Sequence, residues 1–429
     1  MALPPPGPRR DLVIALLLAA VAAVFRFPRL GVPGEEYFDE VYHAKTALQY
    51  LNGQPPIEWV HPPTAKLLIA VPVWFFGYYP AVWRTASAIA GVLLAPVFFL
   101  FARRVLATER AAVLASVLLL CDGVYLVQSR IAMTNIFAVL FQVASALFIL
   151  RAALRERLGG WDMVAAGICL GLALSTRWTS LWAAGYLGGV LLVLRRGRLF
   201  RPRELALTVM AFGLFPVAIY LASYLPWAHQ QHFALLRPAG AKIAVLELVR
   251  LQKAIWRYHA NLQATHPYFS KWYTWPWLGR PTWYYFNSEC DGGCVRGIVA
   301  IGNPALWWVS VPVTLWALVT GARDRDPRRL FTGLGFCALY LPWGISPRTL
   351  NYSHYLFEAI PYACLSLGLL LDRCWDDPRL RHLARGYVVL VLVLFFYFLP
   401  FLIALRVPAD WFNASWHDVR PWTWFRSWV

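Results

Sequence analysis

The sequence predicts an all-α polytopic membrane protein, and three observations carry that prediction. Of its 429 residues, 59% are hydrophobic and 14% charged, whereas soluble domains carry about 25% charged residues. Eleven apolar stretches approach the roughly 20 residues that a helix needs to cross a hydrocarbon core of ~30 Å. The basic residues are grouped: 21 of the 40 lie in the amino-terminal leader and five short turns, at 9–10, 103–110, 151–157, 195–203, 323–329 and 373–385. Short basic loops mark the cytoplasmic side of a membrane. The formal charge of +18 therefore reports topology, and no nucleic-acid partner is needed to explain it.

One membrane domain is expected over 1–429. It opens with a cytoplasmic leader at 1–11, including a disordered Pro4–Pro8 run. The first span, 12–29, sits behind Arg9 and Arg10 like a secretory signal, but no small-x-small cleavage site follows, so it is read as a retained anchor. A long external loop at 30–84, with short surface helices, comes next. Spans are expected at 85–102, 111–128, 131–150, 162–177, 179–194 and 205–226. A second external loop covers 227–298. Four spans follow, at 299–320, 330–346, 353–372 and 386–406, then an external aromatic tail at 407–429. The odd number of spans puts the termini on opposite sides, with every basic turn inside.

The second loop opens with AKIAVLELVRLQKAIWRYH, in which Glu247, Arg250, Lys253 and Arg257 share one helical face. Such a helix either lies along the membrane surface or packs on its own loop. The aromatic run HPYFSKWYTWPWLGRPTWYYFN suits interfacial anchoring and equally suits stacking on a sugar. Trp411, Trp416, Trp422, Trp424 and Trp428 in the tail are read as interfacial, and Asn413-Ala414-Ser415 is a sequon by pattern only. Cys290 and Cys294, in SECDGGC, are candidates for an external disulfide; Cys121, Cys169, Cys337, Cys364 and Cys374 are read as packing residues.

Chemistry concentrates in YFDEVYHAKTALQYLNGQPPIEWVHPPTAK, residues 37–66, which holds Asp39, Glu40, His43, Lys45, His61 and Lys66. Asp39 and Glu40 could simply favour a helix start; the alternative is an active-site floor with an acid acting as base. Polar residues at span ends join them: Arg26, Arg84, Asp122, Gln128-Ser129-Arg130, Arg177-Trp178, and Arg348 with His354 in SPRTLNYSH. Ionisable groups near a membrane are functional candidates by default, although each arginine could merely snorkel.

The pattern resembles protein O-mannosyltransferases. Phe-Asp-Glu and His-Pro-Pro in the first loop, DGVYLVQSRIAMTN, GLALSTRWTS, HPYFSKWYTWPWLGRPTWYYF before GNPALWW, and SPRTLNYSHYLFEAIPY follow that family's order over nearly the whole chain. Asn135 stands where the family often has an acid, His43 sits one place late, and the soluble insert of eukaryotic members is missing, which gives the chain a bacterial character.

The resemblance implies a GT-C glycosyltransferase of the bacterial cytoplasmic membrane with its site facing outward. A polyprenyl-phosphate-mannose donor would give its sugar, with inversion, to Ser or Thr hydroxyls of exported polypeptides, in possible association with the export machinery. Asp39 is then the base. Glu40, His61 and Trp275 face the acceptor. Arg130 and Arg177 are the preferred phosphate clamp, joined by Lys66, Arg84, Arg348, His354 and Gln128, while Arg26 and Asp122 support the site. No metal or other cofactor is expected. A lipid or glycan acceptor is the rival within the same fold. A transporter would place polar groups across the midplane and show matched halves; a scaffold leaves Asp39, Glu40 and His61 unexplained.

Overall fold

The computed structural model describes residues 8–290, 292–415 and 419–429; most of the proline-rich leader and Trp416 lie outside these. The helices are α1 (Pro8–Arg26), α2 (Glu40–Leu51), α3 (Thr64–Phe76), α4 (Pro80–Val105), α5 (Glu109–Leu120), α6 (Gly123–Gln128), α7 (Asn135–Ala153), α8 (Gly160–Leu174) and α9 (Ser180–Arg195). They continue with α10 (Pro202–Val209), α11 (Phe215–Ser223), α12 (Leu225–Gln230), α13 (Pro238–Asn261), α14 (Pro304–Arg323), α15 (Pro327–Tyr340), α16 (Ile360–Asp376), α17 (Arg381–Phe398) and α18 (Ala409–Asn413). Apolar helical segments occupy each of the expected span positions. Among the described residues, five runs are long and apolar enough to cross a membrane by length and composition alone: 80–105, 135–153, 202–230, 304–323 and 381–401.

The apolar sequence sorts these helices by depth. α7 is apolar all round, and 83% of its most apolar window is buried, so it is the centre of the bundle. It packs on α4 and α8; α1 lies against α4, and α14 and α5 flank α16. The 202–230 run is only 11% buried and forms the rim. Its interruption has a local cause. Pro216 has no N–H to donate and would clash with the preceding turn, and the backbone accommodates it through a π-turn at Met210–Leu214.

The arginine turns gather at one end of the bundle, each tied to an acid: Arg103 to Asp11, Arg110 to Asp372, Arg151 and Arg155 to Asp162, and Arg195 to Glu204. The long loops fold together at the other end. There α2 and α3 are the expected short helices, and α13 is the expected amphipathic one, with Ile243, Val245, Leu246, Val249 and Trp256 exposed.

One feature of this end was not expected. TWYYFNSEC (β1, Thr282–Cys290) and CVRGIVA (β2, Cys294–Ala300) form an antiparallel hairpin, and β2 also pairs with β3 (Val407–Pro408) from the tail. Cys290 and Cys294 are bonded across the hairpin turn, Cα atoms 5.4 Å apart. The tail is thus packed rather than loose. Trp428 is 1% exposed and donates to the Leu278 carbonyl, so it is a core residue and not an interfacial anchor.

Candidate active site

The site is built on the turn that starts α2. Phe38 adopts a left-handed φ of 51°, a conformation that costs a non-glycine residue ~1–2 kcal/mol and persists only where surroundings enforce it. Its ring is stacked on Tyr284 of β1 at 4.2 Å and meets Tyr352 and His354 edge-on. The turn sends the two neighbouring acids in different directions.

Glu40 goes inward. Arg84 donates to its two oxygens through Nε and Nη2, each at 2.8 Å, and the Ala132 N–H adds a third bond at 3.0 Å. Arg84 spends its remaining donors on the carbonyls of Leu30, Pro33 and Glu35. Asp39 stays half-buried and makes no capping hydrogen bond to the helix it precedes. Burial, and then the Glu58 carboxylate, push its carboxyl up to about 6, against the pull of Arg348 and Arg177.

Those two arginines line a cavity of about 330 Å³, with His61, Trp178, His259 and Tyr355 among the other wall residues. Asp39 is not on the wall itself but is within electrostatic reach of both cations. Arg177, at the α8–α9 junction, donates to Asn135 Oδ1 and Thr134 Oγ1, lies over the Tyr355 ring, and has Nε 3.3 Å from Glu358 Oε1. Its Nη2 has no hydrogen-bond partner among the described residues. Arg348 donates through Nη1 to His259 Nδ1 at 2.6 Å, while His259 Nε2 donates to the Val60 carbonyl. Burial, and then Arg348, lower His259 to about 4, so it is neutral and its tautomer is set by these two partners.

The floor is a lock around Glu58. Its carboxylate accepts from Lys66 Nζ and from His61 Nδ1, the latter at 2.8 Å, and Lys66 also reaches the Glu58 and His61 carbonyls. Burial alone would raise Glu58; Lys66 and then His61 hold it well below the usual carboxylate range. The cavity shares Pro342 and Ile345 with a larger apolar groove of about 890 Å³ between α9 and α15. Gly185 and Gly189 leave that groove open, since a Cβ on either would meet nothing within 4 Å.

The chain and its fold have known counterparts. Residues 16–85 and 82–234 match the model of the dolichyl-phosphate-mannose–protein mannosyltransferase family, and 245–428 match its C-terminal four-transmembrane region. The polyprenol-phosphate-mannose–protein mannosyltransferase of Mycolicibacterium smegmatis is 30% identical across 99% of this chain and 95% of its own length. The chain belongs to the protein O-mannosyltransferase family. Its relative of the same description in Corynebacterium glutamicum is 28% identical over 99% of this chain and 96% of its own. A Saccharomyces cerevisiae protein O-mannosyltransferase complex bound to the sugar donor shares the fold, with a TM-score of 0.80 at 14% identity over 95% of this chain and 93% of that one. ArnT of Cupriavidus metallidurans bound to undecaprenyl phosphate aligns at 0.59 and 18% identity over 90% of this chain and 64% of that one. As a family member the protein is a membrane glycosyltransferase of the GT-C fold.

Several expected site residues of this mannosyltransferase turn out to be structural. Glu40, expected at the acceptor, and Arg84, expected at the phosphate, are instead paired with each other, and their other bonds go to the backbone. Arg130 donates to the carbonyls of Phe25, Arg26, Pro28 and Arg29 and so terminates α1, leaving it unavailable as half of a clamp. Lys66 is committed to Glu58. Trp275 is fully buried against Ser270, away from any acceptor. Gln128 donates to the Tyr284 hydroxyl at 2.6 Å, and buried His354 stacks on Tyr352; both back the Phe38 shelf. Arg26 lies over Tyr125, and Asp122 caps α6 and accepts from Trp307. Of the expected set, Arg177, Arg348 and His61 line the cavity, and Asp39 lies within electrostatic reach of its two cations.

Sequence reasoning missed Glu58, His259, Tyr284, Tyr355 and Glu358. Glu358 had a signal: a lone acid in the apolar run YLFEAIPY, the kind of residue that costs too much at membrane depth to be idle.

Proposed function

We propose that this enzyme transfers mannose from a polyprenyl-phosphate-mannose donor to Ser or Thr hydroxyls of exported polypeptides, with inversion, at the outer face of the bacterial cytoplasmic membrane. The observation that carries the reading is the junction of a cation-walled cavity with an open apolar groove, near a carboxyl that has no hydrogen-bond partner among the described residues. The groove has the chemistry for an isoprenoid tail. Arg177 and Arg348 have the charge for its phosphate, and Asp39 is the base. In the step itself the acceptor oxygen attacks C1 while its proton passes to Asp39. The C1–O bond breaks, and its electrons leave on the lipid phosphate. The outward orientation is supported by the arginine turns, which all collect at the opposite end from the cavity.

The reading is tested with purified protein, labelled polyprenyl-phosphate mannose and a Ser/Thr-rich peptide. Label should enter the peptide with the anomeric configuration opposite to the donor's. No transfer to a peptide, with transfer to a glycan or lipid instead, would replace it with the rival acceptor. Orientation is tested in sealed vesicles, where a membrane-impermeant peptide should be modified only from the external side.

A carboxyl at about 6 is still ionised at neutral pH and is a stronger base than an ordinary aspartate. Transfer should therefore rise with pH through an acid limb centred near 6 and fall away below it; a flat profile from pH 5 to 7 contradicts Asp39 as base. With two fixed guanidinium groups facing the phosphate, transfer should persist at full rate in excess chelator. Loss of activity in chelator, restored by magnesium or manganese, would show that the arginines do not suffice.

A further inference from the structure

Nε2 of His61 is a polar atom of the cavity wall with a defined orientation and no assigned task. The ring is fixed on three sides. Nδ1 lies 2.8 Å from Glu58 Oε1, the backbone N–H of His61 donates to the same oxygen at 3.0 Å, and the rings of His43 and His259 meet it edge-on at 5.8 and 5.3 Å. An ionised carboxylate can only accept, so the proton must sit on Nδ1 and the lone pair on Nε2. Lys66 on the other Glu58 oxygen neutralises the negative charge that would otherwise draw a second proton onto the ring. Burial, which lowers His61 to about 3, agrees with a neutral imidazole. Nε2 has no partner among the described residues, and the side chain is 23% exposed on the wall that also carries Arg177 and Arg348.

We infer that Glu58 holds His61 as a fixed hydrogen-bond acceptor for one hydroxyl of the donor hexose. This rests on the donor proposed above. A lone pair repels phosphate oxygens, so the arginines take the phosphate and His61 is left a partner that can supply a proton. The acceptor hydroxyl belongs with Asp39, whereas His61 shares the wall with the cations and the groove, where the donor's sugar must hang. Glu58 is then a positioning residue, acting through the ring.

The test is a coupling measurement with polyprenyl-phosphate mannose and its 2-, 3-, 4- and 6-deoxy forms. His61→Asn keeps a donor to Glu58 where Nδ1 was and deletes the Nε2 acceptor; His61→Gln puts an amide oxygen near the old Nε2. In the wild type, one deoxy donor should lose about tenfold in kcat/KM, the scale of one hydrogen bond. His61→Asn should lose the same factor with mannose, lose nothing further with that deoxy donor, and keep the peptide KM. His61→Gln should recover part of the loss. Glu58→Gln, whose amide can flip and donate to Nδ1, should show the same loss of coupling. Equal deoxy penalties in wild type and His61→Asn overturn the inference, as does a change confined to peptide KM. Should His61→Asn fail to fold, a wild type indifferent to all four deoxy positions still overturns it. A wild type that does not use the mannose donor at all would instead defeat the donor assignment itself.

Discussion

Asp39→Asn is expected to lower turnover by ~10²–10⁴-fold, the range typical of losing a positioned general base, while leaving donor binding in place. The substitution is nearly isosteric, and the structure gives it little else to disturb. The carboxylate makes no capping bond to α2, and among the described residues it accepts no side-chain bond that an amide would break. Because burial disfavours its charged form, removing the charge should leave thermal stability unchanged or slightly raised. The acid limb near pH 6 should disappear from whatever activity remains. Glu40→Gln is the control that separates the two acids: it weakens a buried ion pair with Arg84, so its losses should appear first in stability and yield, and its surviving fraction should keep the wild-type pH profile. An Asp39→Asn protein that transfers at more than about a tenth of the wild-type rate would move the base elsewhere, with His61 on the cavity wall the next group to test.

The contrast between these acids shows what the sequence could and could not disclose. The helices were legible because an apolar stretch must be buried or face lipid whatever its neighbours. The adjacent acids were legible as a pair, but their division of labour was not. It depends on the left-handed turn at Phe38 and on Arg84, which reaches Glu40 across 44 residues. Arg130 and Arg177 look alike on paper, each at the end of an apolar run. They differ in what lies within reach: four carbonyls at the end of α1 for Arg130, and three side-chain oxygens and a cavity for Arg177. The β-hairpin was hidden differently. Its strand TWYYFNSEC is aromatic enough to pass for interfacial anchoring, although the Gly292-Gly293 turn at its end was a hairpin signal. Asn135, where the family often has an acid, also acquires a reason. It accepts from Arg177 as a neutral amide, and the acid paired with that guanidinium is Glu358, from a different part of the chain.

That arrangement makes Arg177→Ala the second large effect. A fixed cation aimed at charge that develops on a leaving group is worth ~10²–10³ in kcat when removed, and the loss should appear in kcat/KM for the lipid donor more than for the peptide. Charge alone does not restore it. Arg177 is held by Asn135, Thr134, Glu358 and the face of Tyr355, which leave Nη2 without a hydrogen-bond partner among the described residues, and a lysine has no planar fork to satisfy those partners. Arg177→Lys should therefore stay close to Arg177→Ala. Glu358→Gln keeps the acceptor for Thr179 but removes the ion pair, so it should give a smaller loss in donor use with the peptide KM unchanged. If Arg177→Ala leaves the donor KM and turnover within about threefold of wild type, against the 10²–10³ expected of a phosphate ligand, then the phosphate does not sit at the α8–α9 junction. Arg348, bound through His259 to the first loop, would have to carry it alone.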